Sequence, residues 1–149
     1  MNVLSKVYFE HISENYLIVM NIDRLNPIDM NIIIEEIYSS LEHFKYMDAN
    51  VIILTKYKHL LTHPFAIFNQ EKPTDFNYVC ITNSKRVVQH LSYYDKSLSF
   101  MFSEIIRSLN AITIIDKKGV LCPANWHPGE PVINPKEWSE LENKLGTVN

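Results

Sequence analysis

Two short apolar runs on either side of an amphipathic helix pattern constrain the fold of this chain most strongly. The runs cover residues 16–22 and 49–55, and each is continuous enough for a strand buried on both faces. Between them, Asn26-Pro27 offers a helix cap followed by proline at the first helical position, and apolar residues recur at helical spacing up to Phe44. This β-α-β order predicts two parallel strands joined by a right-handed crossover.

The next part of the chain predicts a short helix and a hairpin. Residues 58–65 are typical of a short helix that Pro64 disturbs. Residues 77–82 predict a third strand, and Asn83-Ser84 predicts a tight turn into a fourth strand over 86–94. A second long helix follows, marked by Phe102, Ile105, Ile106, Leu109 and Ile112. The element order is that of a thioredoxin-type α/β domain.

Composition and charge exclude several classes of protein. A chain of 149 residues gives no reason to expect more than one domain with its own core. The net charge of -3 argues against a nucleic-acid partner, and Lys117-Lys118 is interpreted as a pair of solvated turn residues. All three glycines lie at or after position 119, which excludes a dinucleotide fingerprint and a P-loop, and no cofactor is predicted. Residues 1–10 lack the features of a secretory signal and no run is long enough for a bilayer, so we expect a cytoplasmic protein without a membrane partner.

The densest motif lies at residues 119–129, which read G-V-L-C-P-A-N-W-H-P-G. Prolines at this density exclude a helix interior or a central strand, because proline fixes φ and lacks the N–H donor. The segment therefore predicts an extended arm that carries a thiol, Cys122, and an aromatic anchor, Trp126. We expect a domain over residues 1–115 and an arm over 116–149, which begins with a polar turn.

This motif resembles the resolving-cysteine segment of typical two-cysteine peroxiredoxins (the alkyl hydroperoxide reductase and thiol-specific antioxidant family), which read much like G-E-V-C-P-A-N-W-K-P-G. Residues 103–112 are similar to the family helix D-E-I-L-R-L-x-x-A-L, and residues 79–88 to the hairpin F-I-I-D-x-x-G-V-I. A weaker likeness extends over residues 15–65. The resemblance implies a thioredoxin-like fold of peroxiredoxin type with a trimmed N-terminal hairpin and a shortened stretch between Phe65 and Asn77.

The active-site positions depart from the family pattern. The family's chemistry depends on P-x-x-x-T-x-x-C at the entry to the first long helix and on a distant arginine. Here the proline position holds Asp23, the threonine position Pro27, the cysteine position Met30 and the arginine position Asn77. No cysteine precedes Cys80, and a methionine sulfur cannot form the disulfide that thiol-dependent turnover requires. We therefore expect this chain to lack peroxidase activity of the peroxiredoxin type.

Cys122 has two interpretations. It is either an inert residue of an arm that packs through Trp126, or a thiol that reacts with the cysteine of another protein, as the family's resolving cysteine does across a dimer interface. The function favoured here is that of a degenerate peroxiredoxin-like protein that acts by protein–protein association, as a homodimer or in a hetero-complex. Two alternatives stay open, namely thiol-dependent peroxide or disulfide chemistry through Cys122, and a purely structural subunit.

The other candidate residues favour structural roles. Cys80 lies in the middle of a predicted strand, which is typical of a buried small hydrophobe. His59 and His63 have i, i+4 spacing, yet no third ligand is evident, so a solvated helix face is favoured over a metal site. Trp126 and Trp138 lie in an arm with little core of its own, which predicts an interface with another chain.

Overall fold

The structure, a computed structural model, describes residues 15–146. In chain order, its elements are β1 (Tyr16–Asn21), α1 (Pro27–Tyr46), β2 (Ala49–Thr55), a 3-10 helix (Leu60–Thr62), β3 (Ala66–Phe68), β4 (Phe76–Thr82), β5 (Val88–Asp95), α2 (Phe102–Lys118) and α3 (Pro135–Leu145). The chain divides into two compact units, of which the first ends at Phe102 and the second begins at Ser103. Within the described range, every helix is too short or too polar to cross a bilayer. The interpretation of residues 1–10 lies outside the described residues.

The first unit is built on a five-stranded mixed sheet with the order β3-β2-β1-β4-β5. β1 pairs in parallel with β2, which confirms the predicted parallel pair, and β2 pairs in parallel with β3. β4 runs antiparallel to β1 and forms the predicted hairpin with β5. Val19 of the central strand lies opposite both Ile52 and Cys80. Every residue of β1 is buried, as its continuous apolar sequence predicts.

The core of this unit lies against the sheet on residues that alternate along the strands. One face carries a cluster of buried side chains, namely Leu17, Val19, Ile52, Leu54, Tyr78 and Cys80, with Ile67 packed against it. Helix α1 packs on β2 and buries residues at helical spacing, which are Met30, Ile33, Ile34, Ile37 and Phe44. The amphipathic pattern over 27–44 is therefore confirmed as the buried side of a crossover helix.

Helix α1 begins where the sequence predicts. The side-chain oxygen of Asn26 accepts the backbone N–H of Asp29 at 2.8 Å, and the Asn26 amide nitrogen donates to the Asp29 carboxylate at 2.7 Å. Pro27 occupies the first turn, where a missing N–H costs nothing. This reciprocal cap sets the position of every residue in the first turn of the helix.

The predicted short helix over 58–65 is wrong in extent. Only Leu60–Thr62 is helical, as a 3-10 helix, because Pro64 cannot continue a helix and favours an extended residue before it. The chain then forms β3, a strand that sequence analysis missed. Just before this strand, the Phe65 carbonyl accepts the N–H of Ile53 in β2 at 2.9 Å.

In the second unit, α2 continues through Lys118, so the predicted polar turn over 116–119 is wrong. Lysines in the last helical turn are favourable beside the negative end of the helix dipole. Gly119 ends the helix with a φ of +62° and donates its N–H to the Ile115 carbonyl at 2.9 Å. The predicted boundary between residues 115 and 116 falls inside this helix.

The predicted arm contains a helix that sequence analysis missed. Residues 119–134 are mainly non-helical, and Leu121 forms an isolated antiparallel bridge with Ile133. Asn134-Pro135 then starts α3 in the same way as Asn26-Pro27 starts α1, with the Asn134 side chain accepting the Lys136 N–H at 2.9 Å. No residue of α3 is buried.

Candidate functional site

Met30 lies in the first turn of α1, at a helix N-terminus that faces a cavity. Its side chain is 5% exposed, and its backbone N–H donates to the Asn26 carbonyl at 2.9 Å. Pro27 is exposed one turn earlier. The cavity has a volume of about 350 Å³ and is lined by Leu25, Pro27, Met30, Asn31, Tyr57 and His59. The group that this helix N-terminus presents to the cavity is thus a thioether, which is a weak acceptor without an ionisable proton.

Asp23 ties the loop after β1 to the end of β2. Its carboxylate accepts the Thr55 hydroxyl at 2.6 Å and the Lys56 backbone N–H at 2.9 Å. Thr55 is fully buried, so one of these bonds is shielded from solvent. The two parallel strands end at the same edge of the sheet, and the carboxylate joins the loops that leave them.

Asn77 holds the same loop from the opposite side. The residue is fully buried at the start of β4, and its side-chain oxygen accepts the Arg24 backbone N–H at 2.9 Å. Its amide nitrogen has no hydrogen-bond partner among the described residues. Asp23 and Asn77 therefore fix two consecutive loop residues, 23 and 24, to β2 and β4.

Cys122 lies in the second unit, four residues after Lys118, the last residue of α2. Its side chain is half-buried, and Sγ lies 3.9 Å from the Ala111 carbonyl oxygen, which is the distance of a weak S–H hydrogen bond. Burial raises the pKa of the Cys122 thiol, while the nearby Arg107 guanidinium acts in the opposite direction. The upward shift keeps the thiol protonated at neutral pH, which is opposite to the condition of a reactive cysteine.

Arg107 organises the loop that follows Cys122. Its guanidinium donates to both carboxylate oxygens of Glu104 and, through Nη1, to the Trp126 carbonyl at 3.0 Å. The Trp126 indole is 2% exposed and donates from Nε1 to the Glu130 carbonyl at 3.1 Å. These bonds anchor the proline-rich segment to its own unit.

Comparisons with known proteins agree with this geometry. The model of the C-terminal domain of 1-Cys peroxiredoxin matches residues 111–143. Peroxiredoxin 2 of Caldanaerobacter subterraneus is 40% identical over 72 residues, which are 47% of this chain and 33% of that protein. Peroxiredoxin TSA1-B of Candida albicans is 28% identical over 97 residues, which are 62% of this chain and 50% of that protein. The matched segments of this chain are similar to peroxiredoxins, which supports membership of that family.

Solved peroxiredoxin structures share the fold of this chain. The reduced 2-Cys peroxiredoxin of Plasmodium vivax aligns with a TM-score of 0.72 at 21% identity, covering 94% of this chain and 86% of that one. The yeast mitochondrial 1-Cys peroxiredoxin aligns with a TM-score of 0.71 at 15% identity, covering 95% and 85%. These matches confirm the predicted thioredoxin-like fold. The matched sequences of the curated relatives above span half or less of those proteins. Both one-cysteine and two-cysteine proteins are similar, so the two-cysteine subtype stays a prediction.

The structure brings together the four positions that the peroxiredoxin motif singles out. Met30 and Pro27 share the first turn of α1, while Asp23 and Asn77 both hold the loop that precedes this turn. None of these side chains supplies a thiol or a guanidinium. Met30 is buried in the first turn of α1, and the side chains of Asp23 and Asn77 accept backbone N–H groups.

The structure places both cysteines as free thiols and confirms the burial of one. Cys80 is 1% exposed in the core of the first unit, and burial raises the pKa of its thiol. Cys80 therefore packs as a small hydrophobe, as predicted.

His59 and His63 do not share an α-helical face, because each flanks the short 3-10 helix at one end. His63 is a hydrogen-bond partner of the Tyr38 hydroxyl at 2.7 Å and stacks on Phe65. Their interpretation as a solvated helix face is thus corrected. Over residues 15–146, no three His, Cys, Asp or Glu side chains are grouped in a way that would hold a metal ion.

The two tryptophans of the second unit differ in exposure. Trp126 is buried, so its indole offers no surface to a partner, whereas Trp138 on α3 is 46% exposed and donates to Glu142 at 2.7 Å. The predicted interface role therefore stays a proposal that Trp138 alone supports directly. Sequence analysis also missed the part played by Arg107, although Glu104 and Arg107 have the i, i+3 spacing of a helical ion pair.

Proposed function

We propose that this member of the peroxiredoxin family has no peroxidase activity and acts through protein–protein association. One observation carries the first part: Met30 occupies the buried first-turn position of the helix where the family motif has its reactive cysteine. Asp23 and Asn77, at two further motif positions, are engaged with the backbone of the preceding loop or of β2. The chain also spans half or less of the length of its curated relatives, so their activity is not transferred to it.

The chemistry of the available sulfurs supports this proposal. Peroxide reduction by a thiol requires a thiolate that attacks the peroxide bond and becomes a sulfenic acid, which a second thiol then reduces. A thioether becomes a sulfoxide, which this thiol exchange does not reverse. Burial raises the pKa of both Cys80 and Cys122, so neither thiol is activated.

A peroxide-consumption assay tests the loss of activity. We expect no turnover by the unaltered chain beyond that of a Cys122→Ser variant. A Met30→Cys variant should not gain efficient turnover, because Pro27 and Asn77 supply neither the hydroxyl nor the guanidinium of the family site. Turnover by the unaltered chain that disappears with Cys122→Ser would refute the proposal and favour thiol chemistry at Cys122.

The edge of the sheet supports association between copies of this chain. Among the described strands, β5 pairs with β4 and forms one edge of the sheet. The strand has eight residues, contains no proline, and exposes Leu91 and Tyr93 on one face. A long edge strand with exposed apolar side chains pairs readily with another strand, which makes a homodimer through β5 the favoured form of association.

Analytical ultracentrifugation tests this interface. Leu91→Lys should shift the protein towards monomer, because a lysine on an edge strand opposes strand pairing. Tyr46→Lys is the matched control, since Tyr46 is 86% exposed at the end of α1, away from the strand. A monomeric unaltered protein, or a dimer that both variants leave intact, would refute pairing through β5.

A mixed disulfide through Cys122 is the second candidate function. The half-buried Cys122 is a free thiol in a segment similar to a resolving arm. Non-reducing electrophoresis after mild oxidation, with Cys80→Ser as control, distinguishes the possibilities. A covalent species that requires Cys122 supports a retained half-reaction, whereas unchanged mobility together with partner binding that survives Cys122→Ser supports a purely structural subunit.

A further inference from the structure

A second cavity of the first unit lies where β1 and β2 end. Its volume is about 220 Å³, and we name it the Tyr78 cavity. Its lining includes six polar residues that determine which ligand it could bind, namely Asn21, Arg24, Lys56, Asn69, Glu71 and Tyr78. Met30 and Asn77, which we align with the family's reactive-cysteine and arginine positions, are not among the lining residues, whereas Asp23, aligned with the motif proline, is. The cavity beside Met30 is a neighbour, because Tyr57 lines both.

Two buried asparagines present amide donors at this cavity. Asn21 is 7% exposed and Asn69 is 4% exposed. The side-chain oxygen of Asn21 accepts the Asp23 N–H at 3.2 Å, and that of Asn69 accepts the Glu71 N–H at 3.0 Å. Because a backbone N–H can only donate, these bonds fix which amide atom is the oxygen. The amide nitrogens make no hydrogen bond to any described residue.

Tyr78 adds a third buried donor. The residue is 9% exposed, and its hydroxyl makes no hydrogen bond among residues 15–146. Burial, followed by the nearby Glu71 carboxylate, raises the pKa of the Tyr78 phenol. The phenol therefore keeps its proton and can donate to a ligand.

The cationic side chains of the cavity retain unused N–H donors, whereas each oxygen of the Asp23 carboxylate already accepts a hydrogen bond. The Lys56 ammonium donates to the carbonyls of Asn69 and Glu71, which leaves one of its three N–H groups. Arg24 donates from Nε to the Thr74 carbonyl at 2.6 Å, which leaves the four N–H groups of its terminal nitrogens. Both carboxylate oxygens of Asp23 accept bonds from Thr55 and Lys56. The cavity thus offers unused N–H donors from Lys56 and Arg24 in addition to those of Asn21 and Asn69.

We propose that the Tyr78 cavity binds a small molecule with an oxyanion group, a carboxylate or a phosphate. Three cationic residues, Arg24, Lys56 and Lys72, line the cavity against two acidic ones, Asp23 and Glu71. The residues that carry the amide and phenol donors, Asn21, Asn69 and Tyr78, are each more than nine-tenths buried. The Glu71 carboxylate opposes an anion and weakens its binding. The volume is of the order of several water molecules, each about 30 Å³, which suits a small acid and not a large cofactor.

Amide chemical-shift titration of the full chain tests this site. Succinate, acetate and inorganic phosphate are added separately at constant ionic strength, with chloride as the reference anion. We expect saturable shifts at the amides of residues 23, 71 and 78, and the preferred anion distinguishes a carboxylate from a phosphate ligand. Tyr78→Phe should weaken binding roughly tenfold, as expected for a lost donor to a charged acceptor. Tyr93→Phe is the matched control, because Tyr93 lies beside Tyr78 without lining the cavity.

Substitution of the charged residues gives a second test, because loss of a lysine and loss of a glutamate should change the affinity for the anion in opposite directions. Lys56→Met should reduce affinity at least tenfold, whereas Lys58→Met, an exposed lysine outside the cavity, should not change it. Glu71→Gln should strengthen binding about twofold to fivefold, because it removes a repelling charge. If Lys56→Met fails to fold, Tyr78→Phe and Glu71→Gln still decide the matter. The absence of saturable shifts with all three anions, shifts unaffected by Tyr78→Phe, or weaker binding by Glu71→Gln would each overturn the proposal.

Discussion

Replacement of Asp23 by alanine should destabilise the first unit more than is usual for a half-buried residue. The substitution removes the two hydrogen bonds by which this carboxylate joins the β1 loop to Thr55 and Lys56. It also leaves the Thr55 hydroxyl without its acceptor in a fully buried position, although that oxygen still accepts the Tyr57 N–H at 3.0 Å. The position matters because it is where the peroxiredoxin motif has a proline.

The expected cost follows from the two bonds. A hydrogen bond to a charged group contributes about 1.5–3 kcal/mol, and the exposed bond to the Lys56 N–H belongs below that range. We therefore expect Asp23→Ala to lower the free energy of unfolding by about 2–3 kcal/mol. Asp23→Asn should cost about 1 kcal/mol, since the amide keeps one acceptor oxygen but places a donor opposite a donor.

Urea unfolding followed by circular dichroism measures this loss. With a slope of about 2 kcal/mol/M, Asp23→Ala should lower the midpoint by roughly 1–1.5 M. Asp75→Ala is the control, because Asp75 is an exposed acid of the same unit, and its replacement should change stability by less than about 0.5 kcal/mol. The double variant Asp23→Ala/Thr55→Val should show a coupling of about 1 kcal/mol. An Asp23→Ala effect no larger than the control, or strict additivity with Thr55→Val, would refute the role assigned to this carboxylate.

Three further predictions concern the cysteines and the last helix. Cys80→Ser should lower the free energy of unfolding by about 1–3 kcal/mol, because it buries a hydroxyl in an apolar cluster. Cys122→Ser should change the free energy of unfolding by less than about 0.5 kcal/mol. Equal effects of the two variants in denaturant titrations would contradict this prediction. Because the pKa of Cys122 is raised in the folded protein, the unfolded chain loses the thiol proton first as the pH rises. Alkylation of Cys122 at pH 8 should therefore be slower in the folded protein than in urea, and its rate should keep increasing past pH 9. A rate that levels off below pH 8 would show a lowered pKa instead. Asn134→Ala removes the cap of α3 and should reduce the protection of amides 135–145 against hydrogen exchange by about 1 kcal/mol. Asn143→Ala lies inside the same exposed helix and should not reduce this protection. A similar loss of protection in both variants would argue against the cap.

The residues that we align with the family's active-site positions contribute contacts to this fold. Asn77 and Asp23 each satisfy backbone donors, and Met30 fills a buried position in the first turn of α1. An arginine at position 77 or a cysteine at position 30 would not supply these same contacts. These contacts are a physical reason why we expect a single substitution towards the family motif, such as Met30→Cys, not to produce activity.

Local sequence determined the elements whose signals are contained within a few residues. The cap at Asn26 and the buried run of β1 each depend on neighbours along the chain, and each occurs where it was predicted. The predicted hairpin also forms, but its loop covers residues 83–87, so β5 begins at Val88 and not at residue 86. The absence of a cysteine before Cys80 is likewise a property of sequence alone. By contrast, β3 has only three residues, and its strand character comes from pairing with β2. Helix α3 had a local signal in Asn134-Pro135, but the preceding proline-rich motif favoured an extended arm.

Only the tertiary structure decided what the predicted site residues do. Asp23, Asn77 and Thr55 are far apart in sequence, and their bonds exist because parallel and antiparallel strands end at one edge of the sheet. The same edge brings Asn21, Asn69 and Tyr78 to one cavity, which no spacing rule indicates. Sequence by itself determined that this chain is similar to peroxiredoxins and has no thiol at the family's reactive position. Burial and hydrogen bonding, which depend on contacts between distant segments, determined that the pKa of the Cys122 thiol is raised and that Asp23 and Asn77 hold the loop after β1.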